Sequence, residues 1–301
     1  MSDLKLGLQL GYWGSKPPSK FVAMAQEAES LGFDSVWTAE AYGSDALTPL
    51  AWIGAQTSKI RLGTGVCQLS ARTPTAAAMA ALTLDHMSQG RVMLGLGVSG
   101  PQVVEGWYGA PFAKPLSRTR EYISVVRQVL QREAPVTNPG PHYPLPYTGE
   151  GSWGMGKPLK SIVHPLRSDL PIFLAAEGPK NVALAAEIAD GWLPLYYSPF
   201  RQDVYAASLG TTKPGFEIIQ GVVVNITDDV EQGLLPVKRM LGLYVGGMGA
   251  EKRNFHKELV GRMGFEEAAD KIQALFLEGK QDQAVAAVPD QLADEISLVG
   301  P

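Results

Sequence analysis

Apolar positions along the chain cluster into short runs that alternate with longer segments of helical period. Residues 4–10 form one such run, closed by Gly11, and 19–31 follow with Phe21, Val22, Ala25, Ala28 and Leu31 on one face, which predicts a strand and then a helix. Gly32-Phe33-Asp34 turns the chain into a second strand at 35–38, and 46–57 reads as the next helix. A third strand is predicted at 60–66 and a helix at 75–87, with Pro74 at its first position. The fourth strand spans 91–98, and the helix at 117–132 turns Tyr122, Val125, Val126 and Val129 inward. Residues 135–169 change to Pro, Gly, Tyr and His, the composition of a long loop. Strands five and six are predicted at 171–176 and 191–195 around a helix at 180–189, and strand seven at 215–225. The remainder predicts helices at 234–245, 264–278, 281–288 and 289–296.

Strands alternating with helices, with no composition break dividing the chain into two nucleotide-binding halves, favour an α/β fold of the (β/α)8 barrel type over a doubly wound sheet. An eighth strand is found only if Ile296-Ser297-Leu298-Val299 supplies it. Otherwise a seam between the first and seventh strands exposes backbone edges that must be covered or paired. The expectation is a single barrel domain over 1–301, with a loop insertion at about 135–170 and a helical C-terminal segment at about 228–296.

Composition narrows the function without naming it. Thirty acidic against 26 basic residues give a net charge of -4, and no basic stripe interleaved with aromatics marks a nucleic-acid surface. Met1 to Lys5 lack the layout of a signal peptide, and no apolar stretch approaches a membrane span, so a cytoplasmic protein is expected. The single cysteine, Cys67, reads as a buried small hydrophobe rather than a nucleophile. Histidines at 86, 142, 164 and 256 have no metal-ligand spacing, and no metal site is expected.

The segment Gly95-Leu96-Gly97-Val98-Ser99-Gly100 spells GxGxxG after an apolar run. In a dinucleotide fold such glycines open an amphipathic helix, and an acidic residue follows about 20 positions on. Here Pro101 follows at once with no amphipathic helix expected behind it, and Arg118, Arg120 and Glu121 occupy the later region in a predicted helix. The motif reads instead as a strand end where backbone must come close to something. Ser99 lacks the second glycine of a nucleophile elbow.

In a barrel the site lies at the C-terminal strand ends. These carry Gln9, Gly11, Tyr12 and Trp13; Glu40, Ala41 and Tyr42; Gly65, Val66, Gln68 and Arg72; Val98 to Gln102; Ala176 to Asn181; and Tyr196 with Tyr197. Glycine, aromatics and amides suit a flat, largely apolar cofactor better than hydrolysis by paired carboxylates. Residues 177–181 open a helix, either as an anion seat or as an ordinary Gly-Pro helix start. Glu40 reads as a proton donor or as a surface carboxylate, Trp13 and the tyrosine pair as a ring wall or as caps of the barrel mouth. Lys157 and Lys160 meet an anionic tail or only solvent.

Several segments carry a resemblance. They are Leu6 to Gly14, Arg61 to Val66 with Arg72-Thr73-Pro74, Leu82 to Arg91, Leu94 to Gly109, Ala175 to Asn181, and Ala189 to Trp192. Together they are similar to the luciferase-like monooxygenase superfamily, specifically its coenzyme F420-dependent oxidoreductase branch. The resemblance implies a (β/α)8 barrel that commonly dimerises, with a deazaflavin or flavin ring across its mouth and a non-proline cis peptide, here Gly65-Val66, behind the ring. It implies cofactor contacts from Gln9, Gly65, Val66, Gln68, Gly97, Val98, Ser99, Gly100, Gln102 and Ala176, with the phosphate near Glu177, Gly178, Pro179, Lys180 and Asn181. The implied reaction passes a hydride between the ring and a small alcohol, carbonyl or alkene, with Glu40 and Trp13 beside it. Relatives more often have Asp followed by His where this chain has Glu40-Ala41, and they continue into a further helix and strand. The alternatives are an FMN-dependent two-component monooxygenase of the same fold and a non-catalytic F420 or flavin binding protein.

Overall fold

The computed structural model describes residues 4–248 and 254–301. Residues 1–3, part of the start read above as lacking a leader, and 249–253, inside the predicted helical segment, lie outside the described residues. Two compact units are present, one comprising Met1–Ala175 with Glu187–Leu193, the other Ala176–Ala186 with Pro194–Pro301.

The first unit is a parallel sheet with helices. Its strands are β1 (Gly7–Gly11), β2 (Ser35–Thr38), β3 (Arg61–Thr64), β4 (Cys67–Gln68), β5 (Val92–Gly97), β6 (Ile172–Ala175) and β7 (Gly191–Leu193). They pair in the order β1, β2, β3, β5, β6, β7, with Gly7 opposite Ser35, Ser35 opposite Arg61 and Leu62 opposite Val92. Helices α1 (Phe21–Ser30), α2 (Leu47–Gly54), α3 (Pro74–Met87), α4 (Pro101–Gly106) and α5 (Pro115–Gln131) connect them. The inner strands are buried on both faces, with Ser35 to Thr38 of β2 and Val92 to Gly97 of β5 all buried, whereas no residue of β1 is. Tyr122, Val125, Val126 and Val129 of α5 are buried as their spacing predicts.

The predicted strand at 60–66 is β3, and a second short piece, β4, follows beyond it. β3 leaves β5 after Gly63 opposite Met93, and β4 rejoins it with Cys67 opposite Leu96. In the gap the Thr64 hydroxyl stands in for the ladder, accepting from the Gly95 amide at 2.9 Å and donating to the Gly95 carbonyl at 2.8 Å. A second correction concerns Pro101. A short helix, α4, does begin there, with Gly100 as its cap, so the glycine motif is followed by helix after all.

The segment Leu82 to Arg91, one of those that carry the resemblance, holds structural polar groups. The Arg91 guanidinium donates to the carbonyls of Ser88, Ile60, Gly54 and Thr57 and to the Thr57 hydroxyl. Asp85 is 1% exposed, accepts from the Val92 amide and is gripped through both oxygens by Arg167. That grip ties the long loop to α3 and β5. Asp85→Ala leaves the buried Val92 amide without its acceptor and Arg167 with only the Val92 carbonyl, and should cost about 3 kcal/mol. Urea unfolding followed by fluorescence checks this, and an unchanged midpoint would refute the tether.

The second unit contains α6 (Pro179–Ile188) up to Ala186, α7 (Asp203–Leu209), β8 (Glu217–Ile218), β9 (Val223–Ile226), α8 (Val230–Gly247), α9 (Phe255–Val260), a π-turn at Gly261–Phe265, α10 (Glu266–Leu277), α11 (Gln281–Ala286), α12 (Asp290–Glu295) and β10 (Ser297–Gly300). The predicted strand at 215–225 is thus two short strands. β10 runs parallel to β9 with Leu298 opposite Val224, so the apolar run at 296–299 does supply a strand. Leu234, Val237, Leu241 and Val245 of α8, Ile272 of α10 and Leu292 of α12 are buried. Among the described residues no helix is long and apolar enough to cross a membrane.

Candidate functional site

In the first unit the strand ends form a wall almost free of side chains. The Gly65-Val66 peptide is cis. A β-carbon at Gly97 would lie 2.7 Å from Val66 Cγ2, so these two positions touch across the break between β3 and β4. Position 65 faces the Gln9 amide and the Trp37 ring, at 3.7 and 3.5 Å from a β-carbon built there. Trp37 is 3% exposed, is fixed by its indole N–H on the Ser35 hydroxyl, and meets Phe173 edge-on. It is the support behind the wall. Its residue type alone gave no signal, because a tryptophan in the middle of an apolar strand reads as core.

Gln68 completes the arrangement. Its Nε2 donates to the Glu40 carbonyl at 3.1 Å, while its Oε1 is buried without a hydrogen-bond partner. Buried acceptors are rarely left unpaired, and such an orphan beside an open wall points to a ligand donor. Beyond β5, Ser99 is held in the left-handed region at φ 59°, a conformation uncommon for residues other than glycine and concentrated at ligand sites. Gln102 folds back over Gly100, its Oε1 3.1 Å from a β-carbon built there.

Glu40 does not behave as the expected proton carrier. Its side chain is 2% exposed, Oε1 accepts from the Gln68 amide at 2.7 Å and from Arg72 at 2.8 Å, and Oε2 accepts from the Ala46 amide at 3.2 Å. A buried carboxylate that accepts from two backbone amides and a guanidinium is committed to the packing around it. It positions the chain around the wall instead. Arg72, read in the sequence as a strand-end residue and as part of a motif but not as a partner of Glu40, is what was missed; 32 residues separate the pair, and no local pattern links them. Trp13, the other expected catalytic residue, packs edge-on against Phe21 of α1. Cys67 is 2% exposed, and burial, followed by the nearby Glu40 carboxylate, pushes its thiol up to about 12. It is no nucleophile.

In the second unit the Gly178 carbonyl accepts from the Asn181 and Val182 amides at 2.9 and 3.0 Å, making Gly178 the cap that opens α6. Nothing lies within 4 Å of a β-carbon built there, so the turn is open on that side. Ala176 is buried, Lys180 is exposed, and Glu177 is held by the 254–265 segment, its carbonyl accepting from Arg262 at 3.1 Å. Tyr196 is 1% exposed, so it is not a surface cap. Of the loop lysines, Lys160 donates to the Glu133 carbonyl. No group of three or more potential metal ligands occurs among the described residues.

A parallel β/α progression with glycines at its strand ends defines a class of fold, the (β/α) barrel type. The particular family follows from comparison. The family model for luciferase-like monooxygenases matches residues 6–301, and the chain belongs to that family. A protein of Mycobacterium tuberculosis, named provisionally as a coenzyme F420-dependent oxidoreductase, is 59% identical over 308 residues, covering 99% of this chain and 89% of that one. Two solved structures share the fold. The coenzyme F420-dependent tetrahydromethanopterin reductase of Methanopyrus kandleri has a TM-score of 0.77 at 22% identity, covering 98% of this chain and 86% of that one. An F420-dependent secondary alcohol dehydrogenase in complex with an F420-acetone adduct has a TM-score of 0.72 at 18% identity, covering 98% and 85%.

Proposed function

We propose that the protein is a coenzyme F420-dependent oxidoreductase that moves a hydride between a deazaflavin ring and a small alcohol, carbonyl or alkene. The observation that carries this reading is the buried, unpaired Gln68 Oε1 beside the bare wall of Gly65, Val66 and Gly97. A flat ring with an N–H at its edge satisfies both features, and hydride transfer asks for alignment and exclusion of water rather than strong acids. Gln9, Gly65, Val66, Gln68, Gly97, Val98, Ser99, Gly100 and Gln102 would hold the ring side, and Ala176 to Asn181 the phosphate. When bound, the deazaflavin would accept the hydride from an alcohol or supply it to a carbonyl or alkene. The 59% identical mycobacterial relative favours F420 over FMN.

Fluorescence titration with F420 and with FMN separates the readings. F420 should be bound and FMN should not. Tight FMN binding with none for F420 would turn the assignment to a flavin monooxygenase. F420 binding with no hydride exchange across alcohols and enones would turn it to a binding protein. Gln68→Leu removes the acceptor while keeping the volume and should weaken F420 binding on the order of tenfold.

A further inference from the structure

We propose that His256 is a positioning residue for the phosphate turn, holding and neutralising the Glu177 carboxylate so that an anion can settle at the start of α6. The inference rests on the cofactor reading above. Glu177 directly precedes Gly178, the cap of α6. A carboxylate there opposes the very anion that the helix start attracts.

The fold answers this with a histidine from 79 positions along the chain. His256 Nδ1 lies 2.8 Å from Glu177 Oε2, with the side chains 17% and 15% exposed. The approach is off the line that a hydrogen bond needs, so each atom is buried without a hydrogen-bond partner and the contact stands on charge. The ion pair exists when the imidazole is protonated.

The groups around His256 leave it this task. Tyr244 of α8 and Tyr196 face its ring edge-on at 5.0 and 6.2 Å. Burial, then Tyr244 and Glu177, hold the Tyr196 phenol well above its usual range, so that it stays neutral, and its hydroxyl is also buried without a partner. From the π-turn Arg262 donates to the Glu177 carbonyl, a charge that is constant with pH. On α9 itself Lys257 turns to Asp270 and Gln273 of α10, and Glu258 is exposed. His256 is therefore the member of the cluster placed to hold the Glu177 carboxylate.

The test measures the affinity of the intact protein and its variants for F420 and for its phosphate-free deazaflavin chromophore. The second ligand cancels any effect on the ring side. His256→Gln should weaken F420 binding on the order of tenfold relative to the phosphate-free ligand. Glu177→Gln should bind F420 at least as tightly as the unmodified protein, and the double variant should recover that affinity. A merely structural role for His256 predicts no recovery. The proposal is overturned if His256→Gln keeps the original F420 affinity, if the double variant stays as weak as the single, or if both ligands are weakened alike. Failure of the unmodified protein to bind either deazaflavin overturns the cofactor reading, and the proposal with it.

Discussion

Glu40→Ala is expected to lower stability by about 3 to 5 kcal/mol, the range for breaking a buried ion pair from one side. The loss has identifiable parts. The Arg72 guanidinium keeps its charge with only its Asp45 contact remaining, at 3.4 Å, and the amides of Ala46 and Gln68 lose their acceptor. Tyr108 and Tyr122 reach the carbonyls of Ala41 and Arg72 on either side of the pair, so the disturbance should spread through the segments after β2 and β4. Urea unfolding measures the loss. Glu40→Ala combined with Arg72→Met should be less damaging than the sum of the two changes, because the second removes the stranded charge. A loss below about 1 kcal/mol for the single variant would mean that the pair is solvated and Glu40 is free for chemistry after all.

Gly95→Val should be the most damaging glycine replacement in the motif. A β-carbon at Gly95 would sit 1.9 Å from the Thr64 carbonyl oxygen and 2.8 Å from Leu193 Cδ1. Thr64 is fully buried and bonds Gly95 through its hydroxyl in both directions, so β3 cannot move aside without breaking the ladder substitute. Overpacking against fixed backbone in a close-packed core should cost on the order of 4 kcal/mol or more. A fall in melting temperature of about 10 °C, or loss of soluble protein, is the expected readout. Gly178→Ala is the control. Its β-carbon meets nothing within 4 Å, and its melting temperature should stay within about 2 °C of the original. If both variants melt alike, close approach is not why position 95 is glycine.

The glycine motif shows how far local sequence reaches. It correctly marked a strand end where backbone comes close to something, yet at Gly95 the close neighbour is the Thr64 carbonyl of the adjacent strand. Gly97 meets Val66, and from there on the motif belongs to the side proposed for the ring. The two glycines look equivalent in the sequence because spacing records that room is needed, not what fills it.

Hydrophobic period by itself determined the parallel βα progression, the inward face of α5 and the burial of Cys67, because burial of one face is a local property of the pattern. It also placed the residues of the strand ends, since strand and helix limits follow from glycine, proline and the end of each apolar run. Tertiary structure alone decided which polar groups are spent. Glu40 is consumed by Arg72 and Asp85 by Arg167, while Gln68 and the pair Glu177 and His256 are left with unpaired buried atoms. Each outcome depends on residues from 32 to 82 positions apart, or on the lack of a donor in a packed interior. Charge and hydrogen-bond satisfaction are settled by what folding brings near, and one chain read in order contains no signal for that.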